Sequence, residues 1–365
     1  MGNQPFQHLP NYWLSHSVGR PLKNASEVLT EQYLNHWQGS EPWPLWLQTI
    51  QEFKEQASQL INAEATTVCP QLNVSSGLTK MLNAMCKGKP NPKILLSEAD
   101  FATISFVAKQ VPNAELRYLP ANADVTVLST WTDYLQEDLD VALITHVFSN
   151  TGMRAPVKEI VAEYRSRSIR SIIDVAQSIG IVPIDVAQWQ ADVIIGTSVK
   201  WLSGGPGAAF MYVEPSFCSN LEPSDVGWFS HQDPFEFDVH NFEYDQTSHR
   251  FLGGTPSVAP FAIAAASIAE INRIGVTNIL THNQHIAAQL TADTPATWWH
   301  SPALETKRGG TLVFKPPEDI SNRLLHAHQN NRIFLDQRAT GFRLSPCWTN
   351  TEADIAKFKR IISGN

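Results

Sequence analysis

A chain of 365 residues with 43% hydrophobic content can bury a large core, which predicts one large and one smaller domain. Its formal net charge of -8 is not gathered into a basic stripe or an acidic tail, which argues against nucleic acid as a partner. The apolar runs are shorter than a membrane span and the N-terminus does not resemble a signal peptide, so we expect a soluble cytoplasmic protein with no membrane partner.

The potential metal ligands are scattered along the chain. The 4 cysteines form no C-x-x-C pair, and no histidine stands at metal-ligand spacing from them. We therefore expect reduced, mostly buried thiols and no metal site.

The N-terminal part combines an irregular segment with two predicted helices. Residues 1–40 are rich in Trp, Tyr, Asn and Pro and are interpreted as an arm laid over other structure. Helical spacing of apolar residues predicts an amphipathic helix over 44–63. Ser75, Ser76 and Gly77 precede a second helical pattern, so that helix start is either a phosphate cradle or an ordinary serine cap.

The middle of the chain alternates short apolar runs with helix-like segments, which predicts a mostly parallel sheet of βα units. Ligands bind such sheets beyond the carboxyl ends of the strands, where the loop after the strand 141–145 places Asn150. Three further strands are predicted over 171–175, 192–196 and 208–213. They are followed by a long, partly aromatic loop over 214–254, which is expected to be functional or an interface, and by a smaller C-terminal α/β unit over 256–365.

Asp174 and Lys200 follow two of these buried strands, and buried charge must be paired or put to use. A structural ion pair is one interpretation. In the other, a buried lysine attacks a carbonyl group. If that carbonyl belongs to pyridoxal 5'-phosphate, Lys200 bonds to the cofactor, Asp174 pairs with its pyridinium nitrogen, and the small-residue helix start holds its phosphate.

Several motifs resemble those of one enzyme group. DVAQ followed by SVKWLSGGPG resembles the signature of the class V group of fold-type-I pyridoxal-phosphate enzymes, and SSGLTKML, SNTG and RLSPCWTNTEAD resemble further motifs of that group. The resemblance covers most of the chain and implies the aspartate aminotransferase-like fold, with helices on both faces of a mostly parallel sheet. It also implies an N-terminal arm over 1–40 packed on the small domain, a large cofactor domain over 41–255 and a small α/β domain over 256–365.

Within that group, the motifs GWFSH, FLGGTPS, DQRATGFRLSP and YWLSHSVGRP resemble those of kynureninase. Kynureninase hydrolyses the Cβ–Cγ bond of kynurenine through an aldimine and a quinonoid, giving anthranilate and alanine. The resemblance implies this activity on an amino-acid substrate. Two alternatives stay open, namely another class V reaction (β-elimination, transamination or epimerisation) and a cofactor-binding protein without turnover.

The resemblance implies a role for each matching residue. Lys200 is the implied catalytic residue, and Arg343 and Ser17 are the implied substrate-binding residues, with Arg343 holding the substrate carboxylate. Trp228 and Thr255 are expected to reach the phosphate from the neighbouring subunit of a homodimer with shared active sites, although they and the ring-stacking Phe101 also suit simple packing. The full set of implied cofactor contacts is Leu78, Thr79, Phe101, Asn150, Asp174, Gln177, Ser198, Lys200, Trp228 and Thr255.

Three positions differ from the kynureninase pattern. Val199 stands where kynureninases carry a tyrosine before the lysine, and Gln177 replaces the histidine of their Asp-x-Ala-His motif. Ala102 follows Phe101 where the family has a Phe-Pro pair. These differences bear on the substrate more than on the cofactor.

Overall fold

The computed structural model describes residues 4–135 and 138–364. Helices are distributed along the whole of this part of the chain. They are α1 Ala25–Leu29, α2 Asn35–Gln38, α3 Pro42–Leu60, α4 Val74–Cys86, α5 Ala102–Ala108, α6 Leu128–Asp133, α7 Val157–Ser166, α8 Val186–Trp189, α9 Pro215–Cys218, α10 Ala259–Ile274, α11 Val276–Ala292, α12 Glu318–Gln329 and α13 Glu352–Ser363.

The strands form two sheets. They are β1 Val68–Gln71, β2 Lys93–Ser97, β3 Glu115–Leu119, β4 Val141–Thr145, β5 Arg170–Asp174, β6 Val193–Thr197, β7 Ala209–Val213, β8 Leu312–Phe314, β9 Asp336–Arg338 and β10 Gly341–Leu344. The larger sheet has the order β1-β7-β6-β5-β4-β2-β3 and the smaller one β8-β10-β9.

The larger sheet is mostly parallel. Only β7 runs against its two neighbours, β1 and β6, whereas β6, β5, β4, β2 and β3 pair in parallel. Thr145 at the end of β4 is in register with Asp174 at the end of β5. The parallel arrangement therefore brings the carboxyl ends of β4, β5 and β6 to one edge of the sheet.

Helices cover both faces of this sheet, which explains why its central strands are apolar along their whole length. One face carries a core cluster that includes residues of α3, α7 and α10, where the rings of Phe53 and Phe261 lie 4.7 Å apart. The other face carries a cluster with residues of α4 and α5. The predicted α/β fold, a mostly parallel sheet with helices on both faces, is confirmed.

The smaller sheet packs against α11, α12 and α13 around a third cluster, which the N-terminal Trp13 enters. The amide of Trp13 donates to the carbonyl of Phe334 at 2.8 Å, and Leu14 forms a bridge with Ser345. The division into a large domain over 41–255 and a small domain over 256–365 stays a prediction. The first helix after that boundary, α10, packs mainly against α3 and contributes to the core of the larger sheet.

The short stretches that were not expected from the sequence pattern include the helices α1 and α2 inside the N-terminal arm, the helix α6, and the strands β1 and β9. Strand β1 contains Pro70, which has no amide hydrogen to donate. It forms the edge of the sheet and pairs with β7 alone, which is where a proline can be accommodated. No helix within residues 4–135 and 138–364 is long and apolar enough to span a membrane.

Candidate active site

A cavity of about 190 Å³ lies at the carboxyl ends of β4, β5 and β6. This is the sheet edge at which α/β proteins bind their ligands. Its walls come from the starts of α4 and α5 and from the loops that follow the three strands. The lining residues are Asn73, Val74, Ser75, Phe101, Thr103, Ile104, Thr145, Val147, Ser149, Asp174, Ala176, Gln177, Thr197 and Lys200.

Asp174 and Lys200 are the charged residues of this lining, and each affects the other. Burial raises the pKa of the Asp174 carboxyl, and the nearby Lys200 ammonium opposes that shift. Burial lowers the pKa of Lys200, and Asp174 opposes that shift in turn. Asp174 Oδ1 accepts a hydrogen bond from the Ala176 amide at 2.8 Å, whereas the Lys200 amine forms no hydrogen bond or ion pair with any described residue. The amine is therefore free to bond to a ligand.

Phe101 caps the start of α5, and its ring remains 50% exposed although it lines the cavity. The Lys200 amine lies 5.8 Å from the centre of that ring. An aromatic face left open beside the lysine can stack on a planar ligand that the lysine holds.

The start of α4 reaches the cavity through its first residues. Asn73 and Ser75 line it, and the Asn73 side chain caps the helix by accepting the Ser76 amide at 2.8 Å. Leu78 lies one turn further along and is buried in the core, while the exposed Thr79 donates its hydroxyl to the Ser75 carbonyl at 2.8 Å. The cofactor contacts of Leu78 and Thr79 stay predictions.

Gln177 also lines the cavity. Its Nε2 donates to the His16 carbonyl at 3.0 Å, and its buried Oε1 has no partner among the described residues. Ser198 instead donates its hydroxyl to the Ala208 carbonyl at 2.7 Å and so braces the turn that carries Lys200. Asn150 lies in the loop after β4, outside the lining of the cavity.

Trp228 and Thr255 lie away from this cavity and hydrogen-bond to each other at 3.2 Å. Trp228 belongs to a partly exposed aromatic cluster in which the half-buried Trp43 and the buried Phe229 contact its ring. Their contact with a phosphate in a neighbouring subunit stays a prediction.

Arg343 is 3% exposed and is held by a carboxylate of its own chain. It stands opposite Asp336 in the β9–β10 pair, donates Nε to Asp336 Oδ1 at 2.8 Å and pairs through Nη2 with Oδ2. Its Nη1 donates to the Ser149 carbonyl at 3.1 Å. A guanidinium has five donor hydrogens, so two remain, one on each terminal nitrogen. Arg343 also lies close enough to Lys200 to lower the pKa of that amine.

The N-terminal arm completes this network through His16. The His16 ring lies 3.0 Å from Asp336 Oδ1 through Nε2 and hydrogen-bonds to the Ser345 hydroxyl through Nδ1. Burial alone would raise the pKa of Asp336, but its hydrogen bonds with His16 and Arg343 hold that pKa below its usual range. Ser17, the arm residue with an implied substrate role, is exposed, and its amide donates to the Leu14 carbonyl. Its role stays a prediction.

Sequence reasoning missed a further buried carboxylate, Asp100, beside the cavity. Burial raises the pKa of Asp100 to about 7, against the hydrogen bonds that it accepts from the Thr145 hydroxyl at 2.6 Å and the Ser97 amide at 2.8 Å. The negative charge of Asp174 raises that pKa further. The position of Asp100 just after β2 was a usable signal, because polar residues after parallel strands gather at one sheet edge.

Comparison with solved structures identifies the fold of this chain. A C-DES variant with glycine covalently linked to its pyridoxal-phosphate cofactor superposes with a TM-score of 0.86 at 19% identity, covering 97% of this chain and 96% of that one. The apo cysteine desulfurase of Thermococcus onnurineus NA1 superposes with a TM-score of 0.82 at 17% identity, covering 98% of this chain and 95% of that one. At these identities the likeness establishes the fold.

The family follows from sequence. The model of the family described as aminotransferase class-V matches residues 25–296, so the chain belongs to the class V aminotransferase family. An uncharacterized aminotransferase, YcbU, of Bacillus subtilis is 27% identical over 273 residues, which is 74% of this chain and 71% of that protein. The kynureninase of Deinococcus radiodurans is 30% identical over 254 residues, which is 67% of this chain and 60% of that enzyme.

Pyridoxal 5'-phosphate is the cofactor of this family, and the cavity residues fit it. Asp174 can hold the pyridine nitrogen, Lys200 can bond to the aldehyde, and the open face of Phe101 can cover the ring. The unpartnered Gln177 Oε1 offers one more polar contact. When bound, the cofactor withdraws electrons from the substrate and so stabilises negative charge at its Cα atom.

Proposed function

We propose that this chain is a pyridoxal-phosphate enzyme that hydrolyses the Cβ–Cγ bond of a kynurenine-type amino acid. The arrangement of Arg343 carries the amino-acid part of the proposal. Its buried guanidinium lies beside Lys200, is oriented by Asp336 and keeps one donor hydrogen on each terminal nitrogen, which suits a substrate carboxylate. Kynureninases at 26–30% identity support the choice of reaction.

Each of the central residues has a defined task in this reaction. Arg343 binds the α-carboxylate and thereby directs the Cα–H bond of the substrate. Lys200, whose pKa burial lowers, takes the proton from Cα and returns a proton to the alanine product. Asp174 keeps its negative charge paired with the cofactor nitrogen. The overall reaction consumes one water molecule for each anthranilate and alanine formed.

A second candidate is β-elimination from a smaller amino acid, and the residue before Lys200 favours it. Val199 leaves no hydroxyl group at this position, where kynureninases carry a tyrosine. A possible proton donor for the hydrolysis is therefore absent at this position.

Product analysis separates the two candidates. The cofactor-loaded protein is incubated with kynurenine and 3-hydroxykynurenine, and fluorescent anthranilate products are measured, with Lys200→Ala as the inactive control. Kynureninase-like activity predicts anthranilate and alanine in equal amounts. Absence of anthranilate, together with pyruvate formed from β-substituted amino acids, would reject hydrolysis in favour of elimination.

We also propose that two copies of the chain form a homodimer. The segment after Trp228 exposes large apolar side chains, with Phe237 72% and Val239 90% exposed. Contiguous exposed apolar side chains mark interaction surfaces. Light scattering should give the mass of two chains, and Phe237→Ser should shift the population towards one. A monomeric wild type at micromolar concentration would contradict the proposal.

A further inference from the structure

A second cavity of about 490 Å³ lies beside the loop that joins β4 to α7. It shares no lining residue with the cofactor cavity. Within that loop, Val147 and Ser149 line the cofactor cavity, whereas His146 and Arg154 line the second one. The loop is closed by the Ala155 amide, which donates to the His146 carbonyl at 2.9 Å. The two cavities are therefore separate sites on either side of one loop.

The second cavity contains an uncompensated cation. The half-buried Arg154 guanidinium makes no hydrogen bond or ion pair with any described residue, and burial lowers its pKa, with Glu159 opposing. The more deeply buried Arg308 instead donates to the carbonyls of Pro302 and Ala303 at 3.3 and 2.9 Å. A guanidinium withdrawn from water without a partner carries a desolvation cost, which a bound anion would offset.

The start of α7 adds further donors to the same cavity. Its cap residue, Pro156, has no side-chain acceptor, and the helix is 10 residues long. The amides of Lys158 and Glu159 donate to no backbone carbonyl in the described part of the chain, and both residues line the cavity. Uncapped amides at a helix start attract anions through hydrogen bonds and the helix dipole.

His146 is an independent sign of a missing ligand. Its side chain is 3% exposed and lines the cavity, yet neither ring nitrogen has a hydrogen-bond partner among the described residues. The ring packs edge-on against Trp189, with the two ring centres 4.8 Å apart. Burial lowers the pKa of His146 to about 3, and the charge of Arg154 contributes. The imidazole is therefore neutral at neutral pH and can donate one hydrogen bond.

The remaining wall is mostly apolar and is formed by Val182, Pro183, Trp189 and Leu280, with Thr126 and Thr306 as its polar members. We propose that the second cavity binds a small organic oxyanion, a carboxylate or phosphate ester, with a flat apolar body. The oxyanion contacts Arg154 and the start of α7, and the body lies against Trp189 and Leu280. Glu159 is the carboxylate of this lining, and its exposure to water weakens its repulsion of the bound anion.

Calorimetric titration of the cofactor-loaded protein tests this site. Benzoate and phenyl phosphate should bind saturably, and neutral benzamide at least about tenfold more weakly, because charge-assisted hydrogen bonds are lost. Arg154→Gln should weaken benzoate binding by at least about tenfold. The matched control, Arg165→Gln, removes the same charge near the other end of α7, where Arg165 bonds to the Gln190 carbonyl, and should leave binding unchanged.

Two results would overturn the proposal. One is the absence of saturable binding by either anion. The other is equal loss in Arg343→Gln and Arg154→Gln, because it would place the anion in the cofactor cavity. If Arg154→Gln does not fold, the exposed Lys158→Gln takes its place. It should weaken benzoate binding about threefold through the lost charge at the helix start, and an unchanged affinity would count against the site.

Discussion

Replacing Asp336 by Asn tests whether the buried Arg343 depends on its carboxylate partner. The substitution preserves size and one acceptor oxygen, but it removes the negative charge that Arg343 and His16 share. The Arg343 side chain is 4% exposed and that of Asp336 29% exposed, so the guanidinium would stay buried without a counter-charge. We expect the folded state to lose stability through this uncompensated charge.

The size of the effect follows from the burial of the two partners. Removing one partner of a buried ion pair costs about 3–5 kcal/mol. Because Asp336 is partly exposed and Asn keeps one acceptor, we expect the low end of that range, about 3 kcal/mol. The Ser149 carbonyl still accepts from Arg343 and limits the loss.

Urea unfolding of the cofactor-free protein measures this loss directly. The matched control is Asp319→Asn, which removes the same charge from the exposed Asp319–Arg323 pair, one turn apart on α12. That pair is screened by water and should contribute far less. If Asp336→Asn costs no more than Asp319→Asn, the network around Arg343 does not stabilise the fold and the reasoning fails.

The pH dependence has a definite sign. The folded pKa of Asp336 lies below its unfolded value of about 3.9, so its contribution is complete above about pH 4. It is lost as the pH falls through the lower, folded pKa. The difference between wild type and Asp336→Asn should therefore be constant near neutrality and shrink on acidification. A difference that grows on acidification would contradict this assignment.

Three further predictions concern the cofactor cavity. Lys200→Ala should lose the visible absorbance of lysine-bound cofactor while its far-UV circular dichroism stays unchanged; retained absorbance would reject the lysine. Gly19→Ala should lower stability and cofactor affinity, because the new Cβ would collide with the Lys200 carbonyl, whereas Gly254→Ala meets nothing within 4 Å and serves as control. The stability of Asp100→Asn should rise relative to that of wild type by about 2–3 kcal/mol between pH 5 and 8, because the folded pKa of about 7 exceeds the unfolded value and charging Asp100 destabilises wild type as pH rises. If the free energies of urea unfolding of wild type and Asp100→Asn change in parallel with pH, the raised pKa of Asp100 is refuted.

The sequence predicted the sheet and the core of the site because both depend on short-range patterns. Short apolar runs gave β4 to β7 to within about a residue, and parallel pairing places the residues after them at one edge. That rule brings Asp174 and Lys200 into one cavity. It was less informative for Leu78 and Thr79, since a helix pattern does not say which of its turns reaches a cavity.

The network around Arg343 was beyond such reasoning, because it joins segments that are remote in sequence. His16 lies 320 positions from Asp336, and periodicity shows only which side of an element is buried. Part of a signal existed within DQRATGFR, where a hairpin places Asp336 opposite Arg343. The resemblance of YWLSHSVGRP placed the N-terminal arm near the substrate, but no pattern in the sequence indicates that His16 is the third member of this network.

The arm connects the two parts of the site, and this connection has a consequence for Lys200. The Gly19 amide donates to the Val199 carbonyl at 2.8 Å, next to Lys200, while His16 holds Asp336 and through it Arg343. Burial lowers the pKa of Lys200, Asp174 opposes that shift, and Arg343 adds to it. The basicity of the lysine therefore depends on the smaller sheet as well as on its own strand ends. A displacement of the smaller sheet away from the cavity would raise the pKa of Lys200, so that less of the amine would be unprotonated and able to accept a proton at neutral pH.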